Sequence, residues 1–224
     1  MLPLLQSRWG RRILFAALYL SEGAPIGFVW VALPTHLASQ GADVDRVTWI
    51  TSLLVLPWAG KFLWAPLIDT LQGPRWTLRR WILAAQSLML LTLVLLLDID
   101  PVRHESWLLA VLLAHAFFAA TQDVAIDALC IQTTTSDERG SINGWMQLGM
   151  LAGRAALGGG AILMASKLGW SFAVGCLIAA VALPLVLLLL TAPPQPPSAT
   201  DTEKPIAGGG FLHSLRMACA PRTT

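Results

Sequence analysis

Five ionisable residues stand inside long apolar stretches of this sequence: Glu22, Lys61, Asp123, Asp127 and Arg154. A charge at the centre of a bilayer costs about 2.5–3.5 kcal/mol, whereas each leucine returns only about 0.3–0.6 kcal/mol, so such groups are kept few, paired and turned toward a protein interior. Carboxylates held beside cations in a shielded interior can load and release protons or grip a charged solute. Depth along the helices favours one shared site. At about 1.5 Å per residue, Glu22 lies roughly 14 Å in from the start of its span, Arg154 roughly 18 Å in from the same surface and Lys61 roughly 21 Å in from the opposite one.

The stretch ATQDVAIDALCIQ (120–132) carries two of the carboxylates. Plotted at about 100° per residue, His115, Gln122, Asp123 and Asp127 share an arc of roughly 140°, and that face is expected to turn inward. Asp123 is the first candidate for a proton-titrating group, Glu22 the second and Asp127 the third. Lys61, Arg154, His115 and Gln122 are candidate charge partners or substrate contacts. In SEGAPIG (21–27), Glu22 stands among two glycines and Pro25, a composition that predicts an interrupted helix of the kind found at transporter binding sites. Plainer readings stay open: a proline kink with a salt-bridged glutamate, a solvated or capping Asp127, and a His115 that only packs. The DxxxD spacing of Asp123 and Asp127 also suits a magnesium–diphosphate enzyme, but such sites need several converging carboxylates, and no second acidic cluster lies at membrane depth. Neither an enzyme nor a metal or other cofactor is expected.

The elements that would hold these residues are membrane helices. Of 224 residues, 55% are hydrophobic and 12% charged, against about 25% charged in an ordinary soluble domain. Apolar runs near 13–37, 47–68, 81–97, 107–132, 142–166 and 170–191 each approach the ~20 residues that a bilayer core requires, which predicts an all-α integral membrane fold with six transmembrane helices. The third and sixth runs hold no charge and are expected on the lipid side, leaving the first, second, fourth and fifth around a polar interior. Gly23 and Gly27 in the first run, and Gly149 and Gly153 in the fifth, are spaced four apart, which allows close backbone approach.

Orientation follows from the basic residues between spans. Arg8, Arg11, Arg12, Arg75, Arg79, Arg80, Arg139, Lys204, Arg216 and Arg222 fall on one side, and Arg46, Arg103 and Lys167 on the other. The positive-inside rule therefore places both termini in the cytoplasm. Residues 1–12 form a cytoplasmic flank, 13–191 the membrane domain, and 192–224 a Pro/Gly-rich linker and tail. The net charge of +2 is too small and scattered for nucleic acid, and Cys130, Cys176 and Cys219 have neither metal-like spacing nor an even count.

KFLWAPLID (61–69), ATQDVAID (120–127) and DERG (137–140), at these spacings, resemble the amino-terminal half of the AmpG-type muropeptide permeases of the major facilitator superfamily. The resemblance covers residues 11 to about 192. It implies one half of a twelve-helix secondary transporter in the bacterial inner membrane, a symporter carrying a polar solute such as a sugar-peptide fragment inward with protons. It also implies that Asp69, Gly73, Arg75, Arg79 and Arg80 form a cytoplasmic loop motif that latches the two halves together, with Thr70 standing where the superfamily carries a basic residue. Substrate stays open among muropeptides, peptides, siderophores and acetyl-coenzyme A. The expected partners are the lipid bilayer, the substrate, protons and a missing second six-helix half. The alternative is a non-transporting half-protein that acts only by assembling with other membrane helices.

Overall fold

The computed structural model describes residues 1–73, 76–97, 99 and 104–193, without the side chain of Asp69. Arg75, Arg103 and nearly all of the expected linker and tail, including Lys204, Arg216, Cys219 and Arg222, lie outside the described residues. Within them the chain forms ten α-helices and no strand beyond one isolated bridge.

The first helix, α1 (Arg8–Gly27), begins where the Ser7 hydroxyl oxygen accepts a hydrogen bond from the Gly10 N–H at 3.0 Å, a side-chain cap on an otherwise orphaned donor. The interruption expected at 21–27 is not there. Pro25 sits inside α1, and the irregularity follows immediately as a π-helical turn, Phe28–Ala32, in which the Leu33 N–H bonds to the Phe28 carbonyl five residues back. A wider turn of this kind absorbs one extra residue and re-bonds backbone next to a proline that has no donor of its own. The helix α2 (Leu33–Ser39) completes a continuous first rod.

The second segment differs more from expectation. In place of one helix over 47–68 the chain forms α3 (Val44–Leu53), α4 (Leu56–Gly60), a 3-10 turn (Lys61–Leu63) and α5 (Ala65–Thr70). Pro57 and Pro66 each occupy the first turn of a new short helix, where a missing N–H costs nothing, whereas further along it would break the ladder. The remaining rods are α6 (Leu78–Leu95), α7 (Glu105–Thr133), α8 (Ser136–Leu157) continued after Gly158 by α9 (Gly159–Leu168), and α10 (Trp170–Leu190). Gly169 makes the turn into α10 at φ +93°, a backbone region that glycine adopts without penalty. Among the described residues, five rods are long and apolar enough to cross a membrane: Arg8–Ser39, Leu78–Leu95, Glu105–Thr133, Ser136–Leu168 and Trp170–Leu190.

Backbone-to-backbone contact joins α1 to α8. A Cβ at Gly149 would overlap the Ala16 carbonyl oxygen, at Gly23 that of Met150, and at Gly27 that of Arg154, while at Gly153 it would press on the backbone of Leu20 and Ala24. Only glycine permits this approach, which lets two apolar helices hold by close packing where lipid offers no hydrophobic drive. On the other side α6 packs against both α7 and α10, and α10 also packs on α1. The rods α6 and α10, which hold the charge-free third and sixth runs, thus bury one flank each and turn Leu88, Leu91, Leu183 and Val186 outward.

Two apolar cores divide the bundle. One, around Leu14, Phe15, Leu18, Ile82, Ile126, Leu129 and Leu188, lies toward the end holding both described termini; the other, around Phe28, Leu33, Met89, Leu93, Leu112, Val174 and Leu177, lies toward the far end. Between them on four of the rods comes a polar or irregular position: Ser21 and Glu22 on α1, Gln86 on α6, Gln122 and Asp123 on α7, Pro184 on α10. Gln86 donates from Nε2 to the Val181 carbonyl at 2.8 Å, supplying a bond beside the turn that Pro184 disturbs. The polar belt of the molecule is therefore mid-bundle.

Candidate functional site

The belt is densest where α1 faces α7. Tyr19 and Glu22 are three residues apart on α1, and Asp123 and Asp127 four apart on α7, so each pair presents on one helix face. Lys61 reaches them because α4 ends at Gly60 and the 3-10 turn aims its side chain inward. Its ammonium donates to Asp123 Oδ2 as a salt bridge, with the two side chains 39% and 6% exposed. The Tyr19 hydroxyl donates to Asp127 Oδ1 at 2.5 Å and lies 3.4 Å from Asp123 Oδ1. Trp58 lies under the lysine, its ring centre 5.7 Å from Nζ, close enough for a cation–π contribution.

Glu22 is the anomalous member. It is 1% exposed, and among the described residues no group donates a hydrogen bond to either carboxyl oxygen, although the Asp123 carboxyl lies beside it. Asp123, Asp127 and Lys61 are its charged neighbours. Three carboxyl groups thus share one ammonium, and full ionisation would leave two uncompensated negative charges in a site walled by apolar cores, an arrangement that low dielectric penalises heavily. Asp123 has the lysine and Asp127 has the tyrosine; Glu22 has neither.

Other expected residues are placed as follows. Gln122 is fully buried, with Nε2 3.4 Å from Ser21 Oγ and its carbonyl oxygen unpartnered. His115 is buried, its Nδ1 2.9 Å from Thr92 Oγ1. Arg154 does not join the cluster: it is exposed and forms no ion pair among the described residues. The depth argument ignored direction around the helix. Gly153 faces α1, and the next residue projects about 100° away, so the arginine turns to the uncovered side of α8. That side also shows Leu148 and Leu151, and the second segment shows Phe62 and Leu63, all more than half exposed.

The loop-motif residues are scattered in their roles. Gly73 pairs with Trp76 through two backbone hydrogen bonds of 3.0 and 3.2 Å, and Arg80 lies exposed near the start of α6. Arg79 donates to the carbonyls of Leu188 and Leu189 at 2.8 and 3.0 Å. It thereby adds a charged donor to the last turn of α10, whose Leu187, Leu188 and Leu190 carbonyls also accept from Thr191 and Leu2. Arg79→Leu is expected to cost about 1–2 kcal/mol, the scale of hydrogen bonds to a charged donor at a partly exposed site, read as a lower thermal midpoint in lipid nanodiscs.

Two features escaped sequence reasoning. Tyr19 is the sole tyrosine of the chain, and its place three residues before Glu22 was the available signal. Glu138 of DERG is buried and binds Arg11 at 2.6 Å and Arg8 at 2.8 Å, tying the start of α8 to the start of α1. Among the described residues no three metal-ligating side chains converge.

The family model of the Major Facilitator Superfamily matches residues 8–221. The anhydromuropeptide permease of Escherichia coli (strain K12) is 30% identical over 185 residues, which is 82% of this chain and 37% of that protein. A putative transporter AmpG 3 of Rickettsia prowazekii (strain Madrid E) is 28% identical over 162 residues, covering 68% of this chain and 37% of that protein. An uncharacterized protein, C21B10.09, of Schizosaccharomyces pombe is 30% identical over 131 residues, covering 55% and 25%. The chain thus spans well under half the length of these curated relatives.

Proposed function

The chain belongs to the major facilitator superfamily, whose members are multi-pass membrane transporters, and on that premise we propose that it forms the amino-terminal six-helix half of a proton-coupled importer of polar solutes, with muropeptides as the substrate class. The observation that carries this reading is the cluster of Tyr19, Glu22, Lys61, Asp123 and Asp127 between the two apolar cores. A permanent charge pair alone would be a costly way to hold helices together. Three carboxyl groups around one ammonium do more, since the cluster approaches neutrality only with protons bound, and so its charge changes as protons come and go. Glu22, which lacks any donor, is the position where a translocated proton rides. Asp123 hands it on or restrains it through Lys61, and Asp127 with Tyr19 forms the exit toward the end holding the termini, which this reading places in the cytoplasm of a bacterial inner membrane.

Alternating access needs a second six-helix half, and the uncovered flank of α8 with the second segment is the surface it would cover. The permease names of the relatives support uptake of sugar-peptide fragments, and they support a carrier over a diphosphate-binding enzyme. The test is uptake of labelled anhydromuropeptide by vesicles holding this chain together with its complementary half, under an inward proton gradient. Asp123→Asn is expected to lower gradient-driven accumulation at least about tenfold, equivalent to about 1.4 kcal/mol of lost coupling, while passive exchange of substrate persists. Undiminished gradient-driven accumulation would remove Asp123 from the mechanism.

A further inference from the structure

His115 belongs to no ion pair among the described residues, yet it is a buried polar ring with one nitrogen unaccounted for. Its tautomer can be read from its neighbours. The Thr92 oxygen lies 2.7 Å from the Met89 carbonyl and 2.9 Å from His115 Nδ1; with its proton given to the carbonyl it accepts from Nδ1, and the ring hydrogen is then on Nδ1. In that tautomer Nε2 is a bare acceptor, buried, with no partner among the described residues.

The same cavity is lined by His115 and by Glu22, whose two carboxyl oxygens are also unpartnered. Its volume is about 20 Å³, enough for one water molecule, and buried water is found where several unsatisfied polar atoms converge on a space of this size. The rest of the lining is apolar or aromatic, including Leu54, Trp58 and Leu112. From α1 the ionisable group at the cavity is Glu22; the uncharged Thr92 of α6 meets His115 outside the cavity lining, and Lys61, Asp123 and Asp127 neighbour Glu22 without lining it.

We propose that this cavity is a hydration site in which one water bridges His115 Nε2 and the Glu22 carboxyl group. The water donates to Nε2 and meets the carboxyl with its remaining hydrogen when Glu22 is ionised or with a lone pair when it is protonated, so that Nε2 and one carboxyl oxygen gain a partner in either state. His115 precedes Asp123 along α7 on the side of the far core, so the bridge extends the polar cluster away from the termini. On the proton-coupled reading above, on which this consequence rests, the water and His115 form the outer approach to Glu22.

The test is nitrogen NMR of the chain in lipid bilayers with 15N-labelled histidine, its four histidines assigned by His115→Gln. The expected spectrum shows His115 with a protonated Nδ1, an unprotonated Nε2, and magnetisation transfer from water to Nε2. Glu22→Gln is expected to shift the Nε2 resonance, and Ala116→Leu, which fills the cavity, to abolish the water transfer while leaving Nδ1 protonated. A protonated Nε2, absence of water transfer in the wild-type chain, or indifference of Nε2 to Glu22→Gln overturns the inference. The wild-type spectrum decides tautomer and water contact even where a variant fails to insert. No transport is measured, so failure of proton-driven uptake, which sinks the carrier reading, is told apart from failure of the hydration site.

Discussion

Gly149→Val is expected to separate α1 from α8 and to destabilise the bundle by about 3 kcal/mol, the upper range for overpacking. The added carbons meet the Ala16 carbonyl, which is backbone and cannot swing aside as a flexible side chain would. Relief requires moving one rod against the other, and that displaces Gly23, Gly27 and Gly153 from their own seats on the opposing backbone. Buried Glu22 and Tyr19 ride on the same helix, so the shift also loosens the charge cluster. Thermal unfolding in nanodiscs checks this, with Gly144→Val as the control, because nothing lies within 4 Å of a Cβ at Gly144. Equal midpoints for the two variants would mean that α1 and α8 do not meet through these glycines.

Lys61→Met has the second large effect. It removes the cation from a carboxylate whose side chain is only 6% exposed, and breaking a buried pair from one side costs about 3–5 kcal/mol because an uncompensated charge remains. Lys61 itself is 39% exposed, so water already shares its solvation, and about 2–3 kcal/mol is the expected loss after that discount. Asp123→Asn in the same chain should restore part of it, since the carboxylate that Lys61 pairs with is then neutral and only Glu22 and Asp127 remain. A double-mutant cycle on thermal midpoints measures the coupling; strict additivity of the two substitutions would show that the pair is not formed.

Much of this arrangement was legible because a bilayer leaves so few choices. Long runs without charge predict rods, and an ionised group within such a run must find shelter, which brought Glu22, Lys61 and Asp123 to one site. The glycine spacing likewise predicted close backbone approach in the first and fifth runs, and the structure shows that the two meet each other. Depth, however, is a one-dimensional measure. Arg154 sits near the right level, but the neighbouring Gly153 takes the face toward α1, and the arginine is carried around the helix to the uncovered flank.

Hydropathy similarly passes over backbone chemistry. The run 47–68 is apolar enough to read as one helix, yet Pro57 and Pro66 each restart the hydrogen-bond ladder, and the break between them is what frees Lys61 to turn inward. Pro25, by contrast, is accommodated by a π-helical turn immediately after α1, so a similar composition leaves the first rod continuous. Arg79, grouped by resemblance with a latch between halves, holds carbonyls at the end of α10 in this half. No periodicity argument reports on that contact, because its partners are main-chain atoms more than a hundred residues away.

The account turns on the buried cluster acting as a proton carrier, with Glu22 as the group that holds the cargo proton. The most direct measurement is proton and substrate flux together, in proteoliposomes of this chain with its complementary half, comparing wild type with Glu22→Gln. The account predicts that wild type takes up protons with substrate, and that Glu22→Gln retains substrate exchange at equilibrium but neither moves protons nor accumulates substrate when a proton gradient is imposed. Gradient-driven accumulation by Glu22→Gln, with proton uptake matching wild type, would contradict it.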